Sequence, residues 1–115
     1  MATGSRNDLR EVVRRVIREY AKHKPSNGDI DTEAVIDEEG GHYQVVHIGW
    51  DEEGDGRVFG CVIHIDVIDD KIWIQNDGTS PGVAEDLLEA GIPHESIVLG
   101  FHPEYVRQHT GFAVR

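Results

Sequence analysis

The chain has 115 residues, 38% of them hydrophobic and 29% charged, and this is the balance of a soluble single-domain protein, not of a disordered one. No apolar run approaches the roughly 20 residues of a membrane span. The first residues, Met1 to Ser5, lack an apolar signal core, and the single Cys61 excludes an intramolecular disulfide and a cysteine zinc cluster. The expectation is a cytoplasmic protein in a reducing compartment, with a disordered leader over residues 1–7 and one domain over 8–115.

Eleven Lys+Arg stand against 22 Asp+Glu, a net charge of −11 that opposes indiscriminate binding to nucleic acid. The charge is unevenly placed. Residues 1–24 carry seven cations and three acids, and residues 25–115 carry four cations and 19 acids. A basic first element on an acidic body suggests internal docking, or a partner that reads one of the two faces.

Leu9, Val12, Val13, Val16, Ile17, Tyr20 and Ala21 fall on one face of a helix. Asp8 with Glu11 three residues on is a capping-box pattern, and Pro25-Ser26-Asn27-Gly28 stops the helix. On its other side Arg10, Arg14, Arg18 and Lys22 form a like-charged ridge, which repels itself unless something anionic lies beside it. Strands are predicted over Thr32–Glu38, His42–Trp50, Arg57–Ile68 and Lys71–Gln75, joined by the turns Glu39-Gly40-Gly41, Asp51–Gly56 and Asp69-Asp70. Connections this short imply an antiparallel meander. Ser80 as N-cap before Pro81 then opens a short helix carrying Val83, Ala84, Leu87 and Leu88, which Gly91 ends. Ile97–Leu99 reads as a late strand, Pro103–His109 as a short helix and Phe112–Val114 as an apolar tail. The fold class is α+β: an N-terminal helix packed on a mostly antiparallel β-sheet, with short C-terminal helices and a short late strand.

In the third strand Phe59, Cys61, Ile63, Ile65 and Val67 share one parity and are expected under the helix. The second sheet face is then expected to display Tyr43, Val45, His47, Val62, His64, Asp66, Trp73 and Gln75, a mixture that suits a protein interface. Partner binding is accordingly assigned to Tyr43, His47, His64, Asp66, Trp73 and Gln75. Such a face needs cover, from the chain's own C-terminal helices or from another copy, so a homo-oligomer stays open.

His64 and Asp66 lie at i, i+2 on one strand face with His47 in reach, which admits a metal site or a general base. The usual HxxxH spacing is missing, and the plainer reading is a hydrogen-bonded strand pair. His42, His94, His102 and His109 read as surface or capping groups. Cys61, at an apolar parity, reads as a small buried hydrophobe and not as a nucleophile. Asp77-Gly78-Thr79 lacks a phosphate-loop pattern and reads as a turn with a helix cap; the acidic Asp51–Asp55 run lacks a calcium-loop pattern and reads as a solvated loop. No catalytic, cofactor or metal residues are assigned, and a binding module outranks an enzyme. The ridge Arg10, Arg14, Arg18 and Lys22 is the alternative, a set of phosphate contacts to DNA. A solvated face, or one docked on the chain's own acids or on another subunit, outweighs that alternative, given the acidic body.

Five blocks in collinear order resemble the XisI-like family, whose members are known as fdxN element excision controlling factor proteins and are typical of cyanobacteria. They are Tyr20-Ala21 to Lys24-Pro25-Ser26, His42 to Asp51 (HYQVVHIGWD), Val58 to Asp66 (VFGCVIHID), Lys71 to Thr79 (KIWIQNDGT), and Ile97 to His102 with Thr110-Gly111-Phe112-Ala113. The arginine-rich first helix and the acidic Asp51–Gly56 loop depart from the family pattern. The resemblance implies a non-enzymatic accessory factor acting beside a XisH-like protein to control excision of a DNA element by a separate recombinase. A regulator or neutraliser of a XisH-like nuclease in a paired system is the second implied role. The resemblance carries over no catalytic residue.

Overall fold

The computed structural model describes residues 6–26 and 28–115. Up to residue 5 the expected leader, like Asn27 of the helix stop, lies outside the described residues, and residues 6 and 7 already belong to the first helix. The described elements are α1 (Arg6–Ala21), β1 (Asp29–Asp37), β2 (His42–Trp50), β3 (Arg57–Ile68), β4 (Lys71–Asp77), α2 (Val83–Glu89), β5 (Ile97–Leu99) and α3 (Glu104–Arg107). Because α1 starts two residues before Asp8, Asp8 falls in its first turn and is not the N-cap.

The strands form one sheet in the order β1-β2-β3-β4-β5, antiparallel through β4, with β5 parallel to β4 after the α2 crossover. The expected α+β architecture is therefore present. Leu9, Val13 and Ile17 of α1 are fully buried on Tyr43, Ile63, Ile65, Ile72 and Ile74 of the sheet and on Val83 and Leu87 of α2. Each such aliphatic side chain contributes roughly 1.5–3 kcal/mol of burial, and one helix face therefore holds the sheet to both helices.

Two β-bulges set which residues join that core. Val45 pairs with Ile63 but Val46 pairs with Cys61, so Val62 is an extra residue on β3. His64 pairs with Asn76 but Ile65 pairs with Ile74, so Gln75 is an extra residue on β4. An inserted residue reverses the facing of everything beyond it. Cys61 and Phe59 thus pass to the face away from α1, beside Val46 and Ile48, and the expectation that they lie under the helix is corrected. Phe59 is 74% exposed and Cys61 is exposed as well. Tyr43 and Val45 make the opposite correction: they pair with Ile65 and Ile63 and are buried under α1, not displayed on the second face. His47 shares their side, and Val62 packs partly onto the core.

The second bulge also explains the start of α2. It turns Asp77 to the helix side, where its Oδ1 accepts from Thr79 N at 2.9 Å and its Oδ2 from Val83 N at 2.8 Å. Asp77, and not Ser80, is the side chain that caps α2; the residue at the cap position is Gly82, whose φ of 128° is open to glycine. At the far edge, Ala113 N donates to Ile97 O at 2.9 Å, and Ala113 forms a parallel bridge with Val98. No helix among the described residues is long and apolar enough to cross a membrane.

Candidate functional site

The sheet face away from α1 carries two adjoining regions. The first is polar and centres on Asp66 of β3. His42 is its direct cross-strand neighbour on β2, and Trp73 is its neighbour on β4. Gly41, at φ 74°, closes the β1–β2 hairpin, with its N–H donating to Asp37 O at 2.9 Å and its carbonyl accepting from Val67 N at 2.8 Å. A Cβ there would stand 2.8 Å from Val67 O, so the turn that delivers His42 to Asp66 requires glycine. His42 Nδ1 lies 2.6 Å and His64 Nε2 2.8 Å from the same Oδ1 of Asp66, and Gln75 Nε2 donates to Oδ2 at 3.2 Å. Partial burial pushes the Asp66 carboxyl up, but the hydrogen bonds from His42 and His64 outweigh it and hold the group below its ordinary range. The same hydrogen bond to Asp66 raises His42.

Of the six residues expected to meet a partner on this face, His64, Asp66, Trp73 and Gln75 are together here, and Tyr43 and His47 are on the helix side. Trp73 is not open: the Arg107 guanidinium lies 5.2 Å from its ring centroid, and Arg107 is itself fixed by bonds to His102 O (2.9 Å) and Val114 O (2.8 Å). The C-terminal segment therefore covers the β4 end of the face. His42, read from the sequence as a surface group, is the member that sequence reasoning missed. Its signal is register: a three-residue loop after Glu38 places His42 opposite Asp37 and, across β2, opposite Asp66.

The second region is apolar and lies where β1, β2 and β3 run on beyond the C-terminal cover. Val35, Val46, Ile48, Trp50, Phe59 and Cys61 share this face, with Val35 48%, Trp50 43% and Phe59 74% exposed. Arg57 stacks over Trp50 at 5.2 Å. The same face of β1 carries Asp29, Asp31, Glu33 and Asp37, of which Asp31 and Asp29 meet Lys24 at 3.3 and 3.8 Å. At the tip, Asp51 Oδ1 accepts from the backbone N of Glu53, Gly54 and Gly56, which closes the turn and leaves Glu52, Glu53 and Asp55 exposed. Cys61 donates to Ile63 O at 3.2 Å, and burial pushes its thiol up, the wrong direction for a nucleophile.

The basic ridge is partly spent. Arg10 donates to Glu38 O and Arg14 forms an ion pair with the Glu38 carboxylate, which also accepts from Tyr43 Oη at 2.7 Å. The Tyr43 hydrogen bond, and after it Arg14, depress Glu38, while burial and Glu38 together push Tyr43 up to about 12. Lys22 pairs with Glu19 at 3.3 Å, and Arg18 is exposed beside it.

With this geometry in place, the chain is comparable with known proteins. The family model described as XisI protein matches residues 4–114. A XisI-like protein from Anabaena variabilis ATCC 29413 is 37% identical over 96% of this chain and 100% of its own, with a TM-score of 0.87. The structure of an fdxN element excision controlling factor XisI from the same organism is 29% identical over 96% of this chain and 98% of its own, with a TM-score of 0.79. Among curated proteins none matches. A family model that spans nearly the whole chain, and a likeness in both sequence and fold, place this protein in the XisI family.

Proposed function

We propose that the protein is a non-enzymatic accessory factor that acts with a XisH-like partner to control excision of a DNA element, and that the partner covers the apolar arm of β1–β3. The observation that carries this is the arm itself. The chain completes a core with its own helices, yet Phe59 at 74% exposure, Trp50 and Val35 stay open on a surface where a monomer has nothing to gain by leaving them so. The acids of β1 and of the Asp51–Gly56 tip border this surface, which suits a partner that brings apolar side chains flanked by Lys and Arg. The family supports the excision-control role, since a relative with the same fold is described as an excision controlling factor.

The test is co-expression with the XisH-like protein of the same genome, with complex mass read by light scattering. A stable mixed complex, lost in Phe59→Asp while circular dichroism stays unchanged, is the expected result. Absence of any complex at micromolar concentrations, or a complex indifferent to Phe59→Asp, overturns the reading. A nuclease-neutralising role uses the same surface and is separated by whether the partner cuts DNA alone and stops when this chain is added. Direct DNA binding by the ridge is the weaker reading because Arg10 and Arg14 are already engaged by Glu38.

A further inference from the structure

We propose that His42, His64 and Asp66 form a binding site for a first-row divalent transition-metal ion of the zinc class. The inference is independent of the partner reading, since it concerns the polar region and not the apolar arm. Three ligating atoms, Nδ1 of His42, Nε2 of His64 and Oδ1 of Asp66, all lie within 4.8 Å of one another. They are held on two paired strands, with His42 directly across from Asp66 and His64 two residues before it on the same face of β3. A paired sheet fixes such positions better than loops do.

The donor set decides the class of ion. Two imidazole nitrogens and one carboxylate oxygen suit zinc, nickel, copper or ferrous iron, whereas magnesium and calcium select oxygen-only sites. In a tetrahedral zinc site with bonds of about 2.0–2.1 Å the ligand atoms stand roughly 3.4 Å apart. The two nitrogens are now 2.6 and 2.8 Å from Oδ1, so both rings need to draw back by less than about 1 Å to reach that spacing, which the half-exposed side chain of His42 and the partly exposed one of His64 leave room for. The ion would then sit between the two ring nitrogens and Oδ1, each nitrogen binding through its lone pair while the ring keeps one N–H on its other nitrogen.

Three further features fit an ion. Gln75 Nε2 holds Oδ2 of Asp66 at 3.2 Å, which turns Oδ1 toward the histidines in the manner of an outer-shell partner. Asp37 stands across from His42 on β1 and adds negative charge near the site. His42 is 52% exposed and Asp66 only 14%, so the site opens to solvent on one side, where water completes the coordination, and is walled by the sheet on the other. A bound ion would tie β2 to β3 beside the hairpin closed by Gly41.

The experiment uses the full chain after chelator treatment, titrated with zinc chloride by calorimetry and with Co2+ by absorption spectroscopy. The expected result is one equivalent of zinc with micromolar or tighter affinity and a zinc-dependent rise in melting temperature. His64→Ala and His42→Ala each weaken binding by at least about tenfold, and Gln75→Ala by about tenfold, as loss of an outer-shell partner does. His94→Ala and His109→Ala serve as controls and leave binding unchanged. If a variant fails to fold, NMR of the unaltered chain decides: Co2+ shifts or broadens the ring signals of His42 and His64 before those of the other histidines. Binding below half an equivalent at about 100 micromolar zinc overturns the proposal, as does binding that survives in the His42→Ala/His64→Ala double variant, or Co2+ effects spread evenly over all histidines.

Discussion

Ile63, Ile65 and Val67 at one end of β3 are between 0% and 4% exposed, whereas Phe59, four residues before Ile63, is 74% exposed. The two ends have the same apolar character and belong to one continuous strand. Part of the difference is length: α1, with 16 residues, is about 24 Å long, and β3, with 12, is about 40 Å, so one helix cannot roof the strand from end to end. The rest is Val62. The inserted residue sends Phe59 and Cys61 to the side away from α1, beyond the part that the C-terminal segment covers. Hydrophobic character thus earns a residue a place in the core only where the register gives it a cover; beyond that point the same side chains become a surface.

This contrast is sharpest under truncation. Ile65→Ala is expected to lower stability by about 2–5 kcal/mol, the cost of a buried cavity, while Phe59→Ala changes it by no more than about 0.5 kcal/mol. Urea denaturation of both variants checks the pair, and similar losses would mean that the two ends are not separate in energy. Asp77→Ala removes the carboxylate that caps α2 and should cost about 1 kcal/mol, read as a shift in the urea midpoint with an unchanged slope. Tyr43→Phe, which keeps the ring in the core and deletes only the bond to Glu38, should cost roughly 1 kcal/mol, well below any truncation of its buried neighbours.

The smallest effect is one of pH. The Glu38 carboxyl is held below its ordinary range, first by Tyr43 and then by Arg14, so its contribution is present above the usual carboxylate pKa and is lost as pH falls through the depressed value. The difference in melting temperature between the unaltered chain and Glu38→Gln should therefore be small near neutral pH and shrink as the pH is lowered below the usual carboxylate range. A difference that grew on acidification would contradict the sign. Screening at this exposed pair keeps the effect modest even at neutral pH.

Much of the architecture was legible in the sequence, because helical spacing in Leu9, Val13 and Ile17 and the turn residues after Glu38 and Trp50 are local signals. The limits of β2 and β3 follow from them. The facing of the sheet was not legible in the same way. Both parities of β2 are apolar, so Tyr43 and Val45 could be placed on either side, and strict alternation along β3 assumes that no residue is inserted. The His64–Asp66 pair is visible as an i, i+2 spacing, but spacing alone points to His47 as its neighbour, whereas cross-strand register supplies His42. Ser80 looked like a cap from its place before Pro81, whereas the capping carboxylate of Asp77 reaches Val83 N from six residues upstream. Such contacts depend on tertiary geometry, which no local window contains.

The sheet's two margins differ as well. Beside β5, Ala113 bridges Val98 and takes up part of the outer hydrogen-bonding edge. The opposite margin, nine-residue β1, presents Asp29, Asp31, Glu33 and Asp37 on one face. Acidic side chains along an edge repel a second identical edge, which discourages strand-by-strand stacking of copies into fibrils. The chain can consequently keep an oily surface on the flat of its sheet without that surface seeding aggregation from the side.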